Sequence, residues 1–188
     1  MPPTAGSSTA SRARFYYDFA SPEAYLAAER ALHALGETPD WVPVRMPDAG
    51  AFRCEHELLA YREDVERRAR ALGVMELRWP DPFPPDSEWA LLAATYARQI
   101  GRGVAFSLAA FRQAYAAGRD LSVRDNVLIA AAACELHPAA LVKGAELSST
   151  RARLAAATAQ ARADGVGTVP AVVVGGEVLE GERAIPVA

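Results

Sequence analysis

The stretch Val166-Gly167-Thr168-Val169-Pro170-Ala171-Val172-Val173-Val174-Gly175-Gly176-Glu177-Val178-Leu179 decides the fold. A β-branched run closed by two glycines and resumed by Val-Leu spells a hairpin, because paired glycines supply the positive φ values of a two-residue turn. Proline is tolerated at the first residue of such a run, and a cis Val169–Pro170 bond there would make a tight turn. That geometry would leave the N–H and C=O of Val169 free to pair with an extended peptide, as a neighbouring strand does. Read alone, an ordinary trans proline at a strand edge serves equally well.

At the other end of the chain, Arg14-Phe15-Tyr16-Tyr17-Asp18-Phe19 is short and aromatic and reads as a strand. Ser21-Pro22-Glu23 then opens a helix running to residue 35, with Gly36 as its stop. Serine caps orphan N–H groups, proline supplies the first helical φ, and Glu23 suits the positive helix end. Asp40-Trp41-Val42-Pro43-Val44-Arg45-Met46 is a second strand, which Pro43 confines to an edge or a bulge. Between the strands lies a helical block, predicted over residues 58–72, 87–100, 105–117, 122–136 (broken at Pro138) and 146–163. Its first member carries Glu63, Asp64, Glu66, Arg67, Arg68 and Arg70, most simply a solvated face. The four prolines of Trp79-Pro80-Asp81-Pro82-Phe83-Pro84-Pro85 exclude helix there. The order is β-α-β, a block of helices, then β-β, and the block packs on or beside the sheet because it holds much of the apolar surface.

Composition narrows the function. The chain has 188 residues, a formal charge of -3, 51% hydrophobic and 23% charged residues, which is globular and without the basic field that nucleic acid or anionic lipid selects. Lys143 is the only lysine, so arginine supplies the remaining cations, and alanine is abundant, a bias with the look of GC-rich coding. No apolar run approaches the roughly 20 residues of a membrane span, residues 1–12 read as a disordered leader without a signal-peptide core, and the expected location is the cytoplasm. Cys54 and Cys134 lack C-x-x-C spacing, and His33, His56 and His137 show no ligand spacing, so no metal site is read.

Chemistry can sit where the first strand meets the first helix. A helix N-terminus concentrates free N–H groups and the positive dipole end, which stabilise an anion such as a thiolate, and Ser21 lies there with a hydroxyl to donate. The plain alternative is that Ser21 is only an N-cap.

Residues 15–19 followed by Ala20-Ser21-Pro22-Glu23-Ala24-Tyr25-Leu26 resemble the opening of DsbA-type thioredoxin-fold proteins, in the branch of 2-hydroxychromene-2-carboxylate isomerase and kappa-class glutathione transferase. Gly165 to Pro170, Val172 to Glu177 and Gly181-Glu182-Arg183 resemble that branch's closing segment, and Tyr61-Arg62-Glu63-Asp64 with Trp79-Pro80 and Phe83-Pro84 resemble its helical insertion. The resemblance implies an α/β, thioredoxin-like fold with a large all-helical insertion at about residues 52–164 within a single domain, 13–188. It implies a thiol cofactor, glutathione or another low-molecular-weight thiol, whose sulfur Ser21 holds as thiolate. It pairs the Val169 backbone, in a cis-proline turn with Pro170, with the cysteinyl part of that tripeptide. Glu182, flanked by Gly181 and Arg183, would then contact the γ-glutamyl ammonium. The closing segment departs from the branch in lacking its Phe-Trp pair and most of its final helix.

The expected activity is a thiol-dependent isomerase or transferase acting on a small aromatic or hydrophobic molecule, in a pocket lined by residues such as Phe19, Trp79, Phe83 and Trp89, with a homodimer as one assembly the family reading allows. Two other readings stay open. One is a DsbA-family thiol oxidoreductase using Cys54, and the other is a non-catalytic thioredoxin-fold binding protein that has lost its thiol site.

Overall fold

The computed structural model describes residues 12–34, 38–46 and 52–184. The expected leader up to residue 11, the Gly36 helix stop, residues 47–51 and residues 185–188 lie outside the described residues. Strand β1 (Arg14–Tyr17) leads through helix α1 (Pro22–Ala34) to β2 (Asp40–Pro43), which pairs parallel with β1. Six helices follow: α2 (Glu55–Ala71), α3 (Glu88–Gln99), α4 (Gly103–Tyr115), α5 (Arg124–Ala132), α6 (Pro138–Ala145) and α7 (Ser148–Ala163). The hairpin β3 (Ala171–Val174) and β4 (Glu177–Glu180) closes the sheet in the order β2-β1-β3-β4, with β3 antiparallel to β1. A 3-10 turn, Gly181–Ala184, comes last.

Strand periodicity sorts the side chains onto two faces. Phe15, Tyr17, Trp41 and Val172 bury against α1 and the helices α3 to α6, while Tyr16, Val42, Ala171 and Val173 bury against Ala161 of α7 and Val166. Phe111 of α4 is the hub of the larger face, its ring 5.5 Å from that of Tyr17, 4.8 Å from Phe19 and 6.2 Å from Tyr25. Pro43 sits in the edge strand, where its missing N–H breaks no ladder. The hairpin turn holds Gly175 at φ 59 and Gly176 at φ 87, the doubly positive conformation that glycine adopts without a Cβ clash.

Several sequence expectations are corrected. Pro138 does not merely break a helix: it occupies the first turn of α6, where its missing N–H would have had no intrahelical partner and its fixed φ is already helical. Helix α6 packs on α3 through Gly144, where an added Cβ would lie 2.3 Å from the Tyr96 ring. Helix α4 opens at Gly103 and ends at Tyr115, two residues earlier at each end than the predicted 105–117. Residues 166–170 of the β-branched run are not strand, and β1 and β2 stop short of Phe19 and Met46, because the sheet's edge ends there and the chain turns into helix or loop.

Candidate functional site

Asp18 organises the turn between β1 and α1. Its carboxylate accepts from Ala20 N (3.0 Å) and Ser87 Oγ (2.6 Å) through Oδ1, and from Met46 N (3.2 Å) through Oδ2. One buried acid therefore joins the turn, the exit of β2 and the start of α3, and burial pushes its carboxyl above the ordinary carboxylate range. From α4, Tyr115 donates to Phe19 O at 2.8 Å, fixing the same turn from the other side.

This scaffold places Ser21 just before α1. Ser21 Oγ accepts from Ala24 N at 3.1 Å, the bond of an N-cap residue, and its hydroxyl faces two acceptors, Glu23 Oε2 at 3.2 Å and Val169 O at 3.4 Å. Residues 21 and 169, distant in sequence, thus meet across one cleft. Among the described residues three X–Pro peptides are cis: Asp81–Pro82, Phe83–Pro84 and Val169–Pro170. The 167–170 loop is held from β4, where Glu180 Oε1 accepts from Gly167 N at 2.6 Å and Thr168 N at 3.0 Å. Gly181 N donates to Pro170 O at 2.9 Å, which draws the last turn against the same loop. Among the described residues the Val169 N–H has no acceptor.

The cleft is a cavity of about 440 Å³. Ser21, Glu23, Arg68, Thr168, Val169 and Glu182 form its polar side. Its apolar side is built on Phe52, Tyr61 and Phe83, with ring centroids 5.2 Å apart for Phe52–Tyr61 and 6.2 Å for Tyr61–Phe83, together with Met46 and Pro84. Tyr61 donates to Glu23, with both carboxylate oxygens at 2.8 Å. Burial, followed by the charge of Glu23, holds that phenol well above its ordinary range, so it stays a donor. Arg68 Nε pairs with Glu182 Oε1 at 2.9 Å and Arg68 Nη1 lies 4.0 Å from Glu23 Oε1. The cleft can therefore bind a molecule with a polar, hydrogen-bonding half and an apolar or aromatic half, with a helix N-terminus at the junction.

The structure brings together Ser21, Val169, Pro170, Gly181 and Glu182 around this cavity and leaves Arg183 outside it, exposed on the last turn. Of the aromatic residues expected to line the pocket, only Phe83 does so. Phe19 is fully buried in the core beneath Phe111, Trp79 stands behind Phe83 and donates to Glu66, and Trp89 packs under Arg124. The charged run of α2 is not wholly a solvated face either. Tyr61 and Arg68, two turns apart on one side of the helix, both face the cleft. That spacing, with Val65 buried between them and Ala69 just beyond, was the signal that could have found them. The long-range contacts of Glu23, Asp18 and Glu180 carried no local signal, since Tyr61, Ser87 and Gly167 come from other elements. Both cysteines are free and neither lines the cavity. Cys54 is exposed at the N-cap of α2, whose first turn carries Glu55 and Glu57, while burial pushes the Cys134 thiol up. Among the described residues no group of histidine, cysteine or acidic side chains is arranged to hold a metal ion.

A family model described as the DSBA-like thioredoxin domain matches residues 13–187. No curated protein matches the chain. Among solved structures, 2-hydroxychromene-2-carboxylate isomerase superposes with a TM-score of 0.80 at 19% identity, over 90% of this chain and 88% of that one. A probable DsbA oxidoreductase from Streptomyces coelicolor gives 0.73 at 18% identity, over 90% and 83%. The cytosolic disulfide reductase DsbM from Pseudomonas aeruginosa, in a structure with glutathione, gives 0.59 at 18% identity, over 88% and 87%. At these identities the likeness is one of fold.

Proposed function

We propose, from the premise that this chain belongs to the DSBA-like thioredoxin domain family, that it is a thiol-dependent isomerase or transferase acting on a small aromatic or hydrophobic molecule in the cytoplasm. One observation carries the reading: the Ser21 hydroxyl at the start of α1 lies 3.4 Å from Val169 O across the cavity. An extended tripeptide thiol laid along residues 168–170 would pair with the Val169 N–H and bring its sulfur to Ser21 and the α1 N-terminus. The 2-hydroxychromene-2-carboxylate isomerase fold and the glutathione in the DsbM structure support such a thiol.

The chemistry follows from the two halves of the cleft. A thiolate adds to an activated double bond, rotation occurs about the resulting single bond and the thiolate leaves, or the adduct is retained as a transfer product. Ser21 and the helix N-terminus supply charge stabilisation. Phe52, Tyr61 and Phe83 offer a surface for the flat acceptor. Dithiol exchange fits less well, since it needs a resolving thiol beside the first and the two cysteines are free, one exposed and one buried.

Titration calorimetry with glutathione, on wild type and Ser21→Ala, tests the reading. A hydrogen bond to a charged group contributes about 1.5–3 kcal/mol, so the variant should bind about 10- to 100-fold more weakly. A wild type that binds no glutathione, or a variant that binds as well, would refute it.

A further inference from the structure

We infer that Glu23 is the general base that takes the proton from the incoming thiol, and the acid that returns it, an assignment that rests on the thiol-dependent reading of the cleft. The Ser21 hydroxyl carries one hydrogen, and in the structure that hydrogen faces Glu23 Oε2 at 3.2 Å and Val169 O at 3.4 Å. A thiol that seats against Ser21 therefore arrives beside a carboxylate. If both stayed ionised, two like charges would share one polar pocket, which disfavours the thiolate. A Glu23 that takes up the proton as the sulfur attacks keeps the two charges from coexisting.

The steps balance. The S–H bond breaks, its electron pair stays on sulfur and an O–H bond forms at Glu23 Oε2. Ser21, released from Glu23, turns its hydrogen toward the thiolate. The sulfur pair then bonds to the β-carbon of the activated double bond, and the displaced π pair becomes an enolate. In transfer, Glu23 gives its proton to the enolate carbon; in isomerisation, the enolate expels the thiolate after bond rotation and Glu23 re-protonates the departing sulfur.

The groups around Glu23 suit a carboxyl that must remain available in both states. Tyr61 of α2 lies 2.8 Å from both oxygens, and its single hydrogen given to Oε1 leaves Oε2, the oxygen facing Ser21, able to carry a proton. Arg68 of α2 stands 4.0 Å from Oε1 but is shared with Asp64 at 3.6 Å and Glu182 of the last turn at 2.9 Å, so Glu23 is not locked in a tight ion pair. Asp18 from the end of β1 lines the same cavity, Arg30 of α1 lines the adjoining one, and Tyr115 of α4 stands behind the turn.

The probe is glutathione with an α,β-unsaturated aryl ketone as acceptor, followed as rate against pH for wild type, Glu23→Gln and Glu23→Asp. Glutamine keeps an oxygen for Tyr61 and Ser21, so a positioning role survives it and a basic one does not. The expected result is a Glu23→Gln rate about 10²-fold below wild type near pH 6.5, converging with it near pH 9.5, where solvent supplies thiolate unaided, and partial recovery in Glu23→Asp. A Glu23→Gln rate that is unchanged, reduced equally at every pH, or raised at low pH (as removal of a bystander like charge would cause) overturns the inference. A second measurement separates binding from proton transfer: titration calorimetry of glutathione on wild type and Glu23→Gln. Retained binding by the variant, beside its loss of rate, supports the inference. Loss of glutathione binding in Glu23→Gln overturns it in favour of a binding role, whereas failure of glutathione to bind wild type removes the thiol reading itself.

Discussion

Glu180→Ala isolates what holds the 167–170 loop. Glu180 Oε1 alone accepts from Gly167 N (2.6 Å) and Thr168 N (3.0 Å), and no backbone carbonyl replaces it for either donor. Both bonds lie near the surface, so each is taken at about 1 kcal/mol, the ordinary net value rather than the larger one for a buried charged acceptor. Their joint loss should lower the local opening free energy by about 2 kcal/mol, which is about 30-fold in the opening equilibrium. Amide hydrogen exchange followed by NMR reads this directly: Gly167 and Thr168 should exchange about 30-fold faster in the variant. The buried strand amide of Val172 should not change, because β3 keeps its pairing with β1. Glu180→Gln, which keeps a neutral acceptor, should fall between. Unchanged exchange at residues 167 and 168 would refute the reasoning, and equal acceleration at Val172 would show that the whole sheet, not the loop, had been loosened.

Two further predictions concern the scaffold. Gly144→Ala would put a Cβ 2.3 Å from the Tyr96 ring, an overpacking cost of about 1–3 kcal/mol against a helix-propensity gain of about 1, so thermal unfolding should show a Tm lower by several degrees. In a Tyr96→Leu background the same change should lose its penalty; a stable Gly144→Ala single variant would refute the contact. The Asp18 carboxyl is pushed up by burial, so the folded protein holds its proton more tightly than the unfolded chain and ionisation opposes folding. Stability from this group is therefore present at low pH and is lost as pH rises from the ordinary carboxylate value through the raised one. Urea unfolding of wild type minus Asp18→Asn should fall with rising pH across that window, and a difference that stays flat or rises would contradict the assignment.

Much of the fold was legible in the chain because its signals are local. Two glycines in succession make the hairpin turn whatever surrounds them, and Ser21-Pro22-Glu23 caps a helix through bonds that span three residues. Alternation in Phe15-Tyr16-Tyr17 places neighbouring rings on opposite faces of the sheet, as the two cores show. The misjudged elements are those with two readings. Proline ends a helix or begins one, and Pro138 begins α6 because His137 before it is extended at φ -67, ψ 122. A large aromatic residue serves core or cleft equally well from its chemistry, and the packing of Phe111 assigns Phe19 to the core while the prolines around Phe83 bring that ring to the cavity.

What the sequence by itself determined is a β-α-β unit, a helical block and a closing hairpin, together with a serine at a helix start and a proline at a strand start, because each depends on residues within a few positions of one another. Only the tertiary structure decided that Ser21 Oγ and Val169 O come within 3.4 Å, that Tyr61 reaches Glu23, and that Glu180 holds the intervening loop. Those contacts join segments from different elements, and their distances follow from how the helices pack on the sheet.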